Sequence, residues 1–214
     1  MKIRSLILLT LLPAAINAYA QKPFTEGTIT YKVKVEAAGK KVSEGTYTFI
    51  IKGGQVRKEL QMSNGYNYAL LMNCNSNTIY SLQNHNGKKY AIQLNMDEMR
   101  DRQQKYTGAT LKGEKNTGKI IAGITAFKGD LAYTDGSHLE IYFTPEWYPD
   151  KQLTYERFPG ATFLPLAFTY IEDDSHTMYM EAETVSVAPV ENAVFRVPNE
   201  YKIITNAEYK QLSR

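Results

Sequence analysis

Reactive and metal-binding side chains are scarce in this chain of 214 residues, which has one cysteine, Cys74, and three histidines. A single cysteine cannot form an intramolecular disulfide, so packing has to stabilise the fold, and we expect Cys74 to be buried in a strand rather than to mediate dimerisation. The sequence also has no G-x-S-x-G elbow, H-E-x-x-H helix, Walker loop or C-x-x-C pair. We therefore predict that the protein is not an enzyme and that it uses no cofactor.

Long hydrophobic runs are missing as well. The apolar stretch near the start, residues 6–12, is too short to span a bilayer, so no transmembrane segment is predicted. Two basic residues precede this stretch, and Ala-Tyr-Ala at residues 18–20 offers a cleavage site. Residues 1–20 are therefore predicted to be a secretory signal peptide, and residues 21–214 a single domain that is periplasmic or secreted.

The charge of the chain is close to balanced. The formal net charge is +3, and two of the positive charges belong to the predicted signal peptide. This balance gives no electrostatic reason to expect nucleic acid or an acidic membrane as a partner. Aromatic residues are the exception, with sixteen tyrosines against eight phenylalanines and one tryptophan. Tyrosine suits half-buried strands and also a binding surface, and both interpretations stay open.

Alternating apolar and polar residues predict a mainly β (α+β) protein built from antiparallel strands. The strand-like runs are residues 29–35, 47–51, 56–62, 66–73, 78–82, 90–94, 120–127, 139–143, 162–172 and 177–189. An Asp-Gly pair within residues 134–137 predicts a tight hairpin turn, and Asn64-Gly65 predicts another. A weaker strand-like run, residues 130–133, precedes the first of these turns.

Helical character is limited to two short segments. Residues 96–106 lack β-branched side chains and carry acidic residues before basic ones, and Asn95 precedes them as an N-cap. Residues 206–212 predict one or two further helical turns. Residues 145–160 contain four large aromatic residues and three prolines, which predicts an irregular loop at the rim of any cavity.

Several predicted strands are apolar on both faces, for example residues 66–72 and 120–127. The second face needs a cover, and two short helices supply little of it. A cavity that holds a lipid or another apolar small molecule is one solution, and a second packed sheet is the other. The candidate ligand-binding residues are Tyr68, Leu70, Met72, Tyr80, Ile124, Phe127, Leu166 and Phe168. The alternative function is an envelope structural or assembly protein that binds a protein or glycan through exposed tyrosines.

Three charged clusters invite a chemical interpretation. Asp135, His138 and Glu140 surround one turn and would offer metal ligands, but turns collect such residues, so a solvated turn is the favoured interpretation. The acidic turn at residues 172–176 is treated in the same way. Glu181 and Glu183 would be a carboxylate pair only if they lined a cleft, and an exposed sheet face is expected instead. We therefore predict neither a metal site nor catalytic residues.

A last feature of the sequence is the order in which its predicted strands and motifs follow one another. The relevant pieces are GKIIAG at residues 118–123 with AFK at 126–128, the strand at 139–144, residues 178–183, and FRVPNEYK at 195–202. This order resembles that of the uncharacterised secreted proteins of Gram-negative bacteria related to the LolA and LppX lipoprotein carriers. The resemblance implies a strongly curved antiparallel sheet or half-open barrel, with one or two short helices covering the concave side that shelters acyl chains in the carriers. Their functional residues have no matching motif here, so none is carried over.

Overall fold

The computed structural model describes residues 21–95, 97, 99, 104, 106–113, 118–149, 158, 161–173 and 176–212. The predicted signal peptide and most of the predicted helix at residues 96–106 lie outside these residues. Within that segment Asp97, Met99 and Gln104 are helical. The predicted cap is present, because the Asp97 amide donates to Asn95 Oδ1 at 2.9 Å and the Met99 amide to the Asn95 carbonyl at 3.3 Å.

The described residues form fifteen strands, a 3-10 helix and a C-terminal α-helix. In chain order the strands are β1 (Lys22–Phe24), β2 (Glu26–Ala37), β3 (Lys40–Lys52), β4 (Gln55–Met62), β5 (Asn67–Asn73), β6 (Thr78–His85), β7 (Lys88–Leu94), β8 (Thr110–Gly113), β9 (Lys119–Ile121), β10 (Ile124–Ala132), β11 (His138–Thr144), β12 (Trp147–Pro149), β13 (Leu164–Asp173), β14 (His176–Ser186) and β15 (Lys202–Thr205). The 3-10 helix is Asn192–Phe195, and the α-helix, α1, is Asn206–Leu212.

Thirteen of the described strands form one sheet, in the order β15-β7-β6-β5-β4-β3-β2-β14-β13-β11-β10-β8, with β9 attached to β10. Its strand pairs are antiparallel, except that β15 joins β7 in parallel. The sheet is curved and is not closed into a barrel. The predicted mainly β fold with a large curved sheet is therefore confirmed. Strands β1 and β12 form a separate parallel pair.

Period-two alternation gives the sheet one continuous apolar face, called the inner face from here on. On β2 it carries Ile29, Tyr31 and Val33, all with no exposed surface. These residues stand opposite Phe49, Tyr47 and Gly45 of β3 in register, and the same face continues through the remaining strands. The opposite side, the outer face, carries polar residues on β2, such as Lys32 and Lys34, and meets water there.

Aromatic residues close the inner face over β2, β14, β13 and β11. Phe158 lies 5.1 Å from Phe168 and 6.2 Å from Phe163 between ring centroids, both with edge-to-face geometry. The Tyr31 hydroxyl donates to the buried carbonyl of Pro165 at 2.8 Å. This part of the inner face is a packed core, made by residues of the chain itself.

The run predicted as a single strand at residues 120–127 is two strands. Ala122 and Gly123 have φ angles of 50° and 76° and form the two-residue turn between β9 and β10. Because such a turn usually contains Asn or Asp before the glycine, the Ala-Gly pair concealed it. Strand β10 then runs on through most of the weaker run at residues 130–133, and the predicted turn at 134–137 follows it.

Cys74 is half-buried in the turn after β5, so the prediction that a strand buries it is wrong. The Asn73 side chain ends the strand, because its Oδ1 accepts the amides of Asn75 and Ser76 at 3.0 Å and 3.2 Å. These hydrogen bonds form a turn, and pairing between β5 and β6 therefore does not continue past Asn73. Cys74 still packs against the edge of the core.

The C-terminal helix α1 is present where the sequence predicts it. Thr205 and Glu208 form a capping box, in which the Thr205 amide donates to Glu208 Oε2 at 2.7 Å and the Glu208 amide to Thr205 Oγ1 at 3.2 Å. The Thr205 backbone amide is the main cause of a lowered pKa at the Glu208 carboxyl. Tyr209 packs beside Tyr90, which anchors the helix on β7.

Candidate functional site

The inner face of strands β3 to β5 carries a row of large side chains that the protein only partly covers. Tyr47 stands opposite Leu60, and Leu60 stands opposite Tyr68, so the three form one line across the sheet. All three are half-buried, as is Met62, the next inner-face residue of β4. We call Tyr47, Leu60 and Tyr68 the half-buried row. It contrasts with the closed core over β2, where Ile29, Tyr31 and Val33 have no exposed surface.

The adjoining row on the same face contains two buried polar residues. Lys58 is 7% exposed and stands opposite Leu70, and Leu70 stands opposite Ser81, which is 3% exposed. The Lys58 Nζ atom lies 6.0 Å from the centre of the Phe49 ring. The Ser81 Oγ atom accepts a hydrogen bond of 3.1 Å from the side-chain amide of Gln83. Both polar residues are thus buried on the inner face, next to the half-buried row.

Three of the predicted ligand-binding residues belong to this region. Tyr68 is in the half-buried row, and Leu70 and Met72 are buried beside it on β5, with exposures of 2% and 9%. Sequence reasoning missed Tyr47, Leu60 and Lys58. The signal for them was available, since all three fall on the apolar phase of strands that were predicted correctly.

The remaining predicted residues are not at this place. Leu166 and Phe168 belong to the closed part of the inner face, and Phe127 lies beside Phe143, 6.5 Å away between ring centres. Strand alternation places Ile124 on the opposite side of β10 from Phe127. The structure therefore does not bring the eight predicted residues together in one site.

Tyr80 lies on the outer face, where the chain supplies its own cover. Ala69, Leu71, Leu82 and Ala91 form a small buried cluster there, and Tyr80, Val197 and Tyr201 pack against it. The second apolar side of β5 is thus shielded by the segment before β15 rather than by a ligand. The polar and apolar residues of that segment follow no period, so its covering role could not be predicted.

A groove of about 480 Å³ lies on the outer face, and we call it the outer groove. Its lining comprises Lys32, Lys34, Lys119, Glu140, Tyr142, Ala167, Phe168, Thr169, Tyr179, Met180, Glu181, Ala182 and Glu183. The β9–β10 hairpin folds over one side of it, because Lys119 of β9 forms an ion pair of 2.9 Å with Glu181 of β14. Lys119 Nζ also lies 4.3 Å from the centre of the Tyr142 ring.

An ion pair and a tyrosine lie on the other side of the outer groove. Lys34 pairs with Glu36 and is the main cause of the lowered pKa of that carboxyl. Glu36 also accepts a hydrogen bond from the Tyr179 hydroxyl, which raises the pKa of Tyr179. Tyr179 is nevertheless 39% exposed. The outer groove is therefore polar, of mixed charge, and presents tyrosine to the solvent.

The predicted carboxylate pair, Glu181 and Glu183, lines this groove instead of lying on a plain sheet face. A β-bulge between Ala182 and Thr184 inserts Glu183 as an extra residue in β14. Glu181 is engaged by Lys119, as described above. The expectation of an exposed location is met, because both glutamates are exposed, but the sequence did not predict the groove.

The charged residues around the 134–137 turn have partners of their own. His138 Nδ1 lies 2.8 Å from Asp130 Oδ2, and Glu140 forms an ion pair of 2.9 Å with Lys128. Both contacts join β11 to β10 across the outer face. Within the part of the chain that the structure describes, no group of three His, Cys, Asp or Glu side chains is placed to hold a metal ion.

The fold is shared with a solved structure, an uncharacterized conserved protein from Thermus thermophilus, which is 8% identical with a TM-score of 0.50 over 86% of this chain and 93% of that one. The matching structures include the MucA/MucB complex of Pseudomonas aeruginosa, 13% identical with a TM-score of 0.42, over 86% of this chain and 60% of that one. They also include a LolA superfamily protein from Nitrosomonas europaea, 9% identical with a TM-score of 0.37, over 83% and 92% of the two chains.

A LolA superfamily protein is thus among the structures that match this chain, and at these identities the likeness concerns the fold alone. No protein-family model matches the chain, and neither does any curated protein. In the described residues, no helix combines the length and the hydrophobicity that a membrane crossing requires.

Proposed function

We propose that this protein is a non-enzymatic binding protein, periplasmic or secreted, that holds a lipid or another apolar ligand on the inner face of its sheet. The observation that carries the proposal is the half-buried row. Tyr47, Leu60 and Tyr68 sit side by side on the face that forms the core elsewhere, yet each keeps part of its surface exposed. Apolar side chains that adjoin one another and stay partly exposed are candidates for an interaction site in a soluble protein.

The inner face is covered to different extents in different parts of the sheet, and this difference assigns the binding site to β3, β4 and β5. Over β2 and β13 the chain covers the inner face completely, as the unexposed Tyr31 and Leu166 show. Over β3 to β5 the same face keeps its apolar character but loses part of its cover. An additional hydrophobic molecule would complete the burial there, and each fully buried Leu side chain contributes about 1.5–3 kcal/mol.

The predicted address is consistent with this function. A signal peptide at residues 1–20 would export the protein, and lipids require sheltered transfer in an aqueous compartment. The near-neutral charge of residues 21–214 favours binding through apolar contact over binding through a long-range field. Both points come from the sequence and support the proposal independently of the fold.

Native mass spectrometry of protein isolated from its own secretory compartment tests the proposal. We expect a bound species of lipid mass that disappears after extraction with organic solvent. The extracted protein should then bind the neutral probe N-phenyl-1-naphthylamine with a rise in fluorescence. A single mass equal to that of the mature chain, together with no response to the probe, would contradict the proposal.

The outer groove favours a second candidate function, that of an envelope assembly protein. Tyr179 is partly exposed there, and Lys119 and Glu181 offer a donor and an acceptor to a protein or glycan. A photo-reactive phenylalanine analogue at position 179 would test it in cells, with the analogue at exposed Lys112 as the control. One discrete crosslinked envelope component at position 179 alone supports this function, and identical patterns at both positions refute it.

A further inference from the structure

We infer that the exported chain begins at Gln21 and that this residue is a modification site, where it cyclises to pyroglutamate. The inference rests on the export that forms part of the proposed function, and it adds the chemical state of the exported terminus. The free α-amine of Gln21 attacks its own side-chain carbon Cδ, so that a C–N bond forms and the bond from Cδ to Nε2 breaks. The side-chain nitrogen leaves as ammonia, and the step therefore needs no oxidant, reductant or co-reactant.

The residues before Gln21 are the first observation. Ala18 and Ala20 occupy the small-residue positions of a signal-peptidase site, so cleavage after Ala20 leaves Gln21 as the first residue. Only a glutamine in that position has a free amine, because the backbone nitrogen of any later glutamine is an amide and a poor nucleophile. Of all the glutamines in the chain, Gln21 is therefore the one that cleavage prepares for cyclisation.

The point at which the fold begins is the second observation. Strand β1 starts at Lys22, whose backbone amide donates to the Glu146 carbonyl at 2.8 Å. Phe24, at the end of β1, is 2% exposed, and its ring centroid lies 5.8 Å from that of Trp147. A cut later in the chain would remove residues of β1. The start of the fold thus agrees with the cleavage point that the sequence predicts.

The exposure of Gln21 is the third observation, since both reacting groups have to be free to meet. Its Nε2 atom donates to the Thr162 carbonyl at 3.4 Å, beyond the roughly 2.7–3.2 Å of ordinary N–H···O hydrogen bonds. A contact this long at the surface holds the carboxamide only weakly. Closing the five-membered ring requires rotation about single bonds of Gln21 itself, so β1 can keep its pairing with β12.

Cyclisation changes the terminus in two ways. It removes the positive charge of the α-amine, and it leaves no free amine at this end of the chain. Aminopeptidases require that amine, so the cyclised terminus resists trimming. Resistance is useful here because β1 has three residues and belongs to a two-stranded sheet with β12. Few residues therefore separate the terminus from the buried Phe24.

Mass spectrometry of the intact protein, freshly isolated from its own secretory compartment, tests the inference. We expect a chain that starts at residue 21 and is lighter by one ammonia than the unmodified sequence. Pyroglutamyl peptidase, which removes only a cyclised residue, should then expose the amine of Lys22 to Edman degradation. Gln21→Asn is the matched control. It keeps the carboxamide but would have to close a four-membered ring, so its terminus should stay open and readable without the peptidase.

A synthetic peptide of residues 21–32, carried through the same preparation, reports cyclisation that arises during handling. A cyclised fraction in the protein no greater than that in the peptide overturns the inference. A free amine on Gln21, or a first residue other than Gln21 after removal of the signal peptide, overturns it as well and leaves the proposed function intact. Retention of residues 1–20 contradicts the export itself, and the proposed function and the inference then fail together.

Discussion

Truncating one residue of the half-buried row should separate ligand binding from folding. Leu60 packs against the core yet stays half-buried, so a ligand can cover its remaining surface. Complete burial of a leucine is worth about 1.5–3 kcal/mol, and the part left for the ligand is therefore about 1 kcal/mol. Leu60→Ala should weaken binding of the neutral probe roughly fivefold. Its cost in stability should be about 1–2 kcal/mol, below the 2–5 kcal/mol expected of Leu70→Ala at a buried position.

The assay is a fluorescence titration with N-phenyl-1-naphthylamine, together with a urea unfolding curve for each variant. Leu212→Ala is the matched control, because Leu212 is 48% exposed on α1 and far along the chain from the row. The control should leave both probe affinity and stability unchanged within error. An unaltered probe affinity in folded Leu60→Ala, or an equal loss in Leu212→Ala, would refute the assignment of the row as a binding surface.

Three further predictions concern the fold. Tyr31→Phe removes the hydroxyl that donates to the buried Pro165 carbonyl and should destabilise the protein by about 1–3 kcal/mol in urea unfolding, while an unchanged midpoint would contradict the hydrogen bond. Gly27→Ala should lower the free energy of unfolding by well over the roughly 1 kcal/mol expected of Gly39→Ala. A Cβ at Gly27 would overlap a β14 carbonyl, whereas a Cβ at Gly39 would meet open space. Equal melting points of the two variants would refute this prediction. Because the pKa of Glu208 is lowered, its cap stabilises α1 fully at pH values above the ordinary carboxyl pKa, and this stabilisation is lost as the pH falls through the lowered pKa. Amide exchange in α1 should therefore accelerate in acid, and Glu208→Gln should remove that pH dependence.

The sheet could be predicted from the sequence because its signals are local. Strand β2 alternates so strictly that its inner and outer faces follow from residues 29–35 alone. The capping residue Asn95 marks a helix start for the same reason, since the side-chain oxygen and the amide it satisfies are close in sequence. The Ala122-Gly123 turn is the exception, because the positive φ angle of Ala122 is imposed by the fold and is not one that alanine prefers.

The candidate site was harder to predict because it depends on which strand residues are shielded by segments that are distant in sequence. Tyr80 and Tyr68 both lie on strands that carry apolar residues on both faces. No pattern in the neighbouring sequence indicates that Val197 and Tyr201 shield Tyr80, whereas Tyr68 stays half-buried. Lys58 looks like a solvent-facing lysine when it is read by residue type. Only its phase on β4, taken with its burial, reveals a polar group on the apolar face.

Methyl-resolved NMR of the delipidated protein, titrated with dodecanoate, shows directly whether an apolar ligand binds on the inner face. We predict saturable shifts at the methyl groups of Leu60 and Met62, with none at the exposed residues Val187 and Leu212. Shifts confined to the outer groove, for example at Ala167 and Thr169, or no saturable shifts at all, would contradict it.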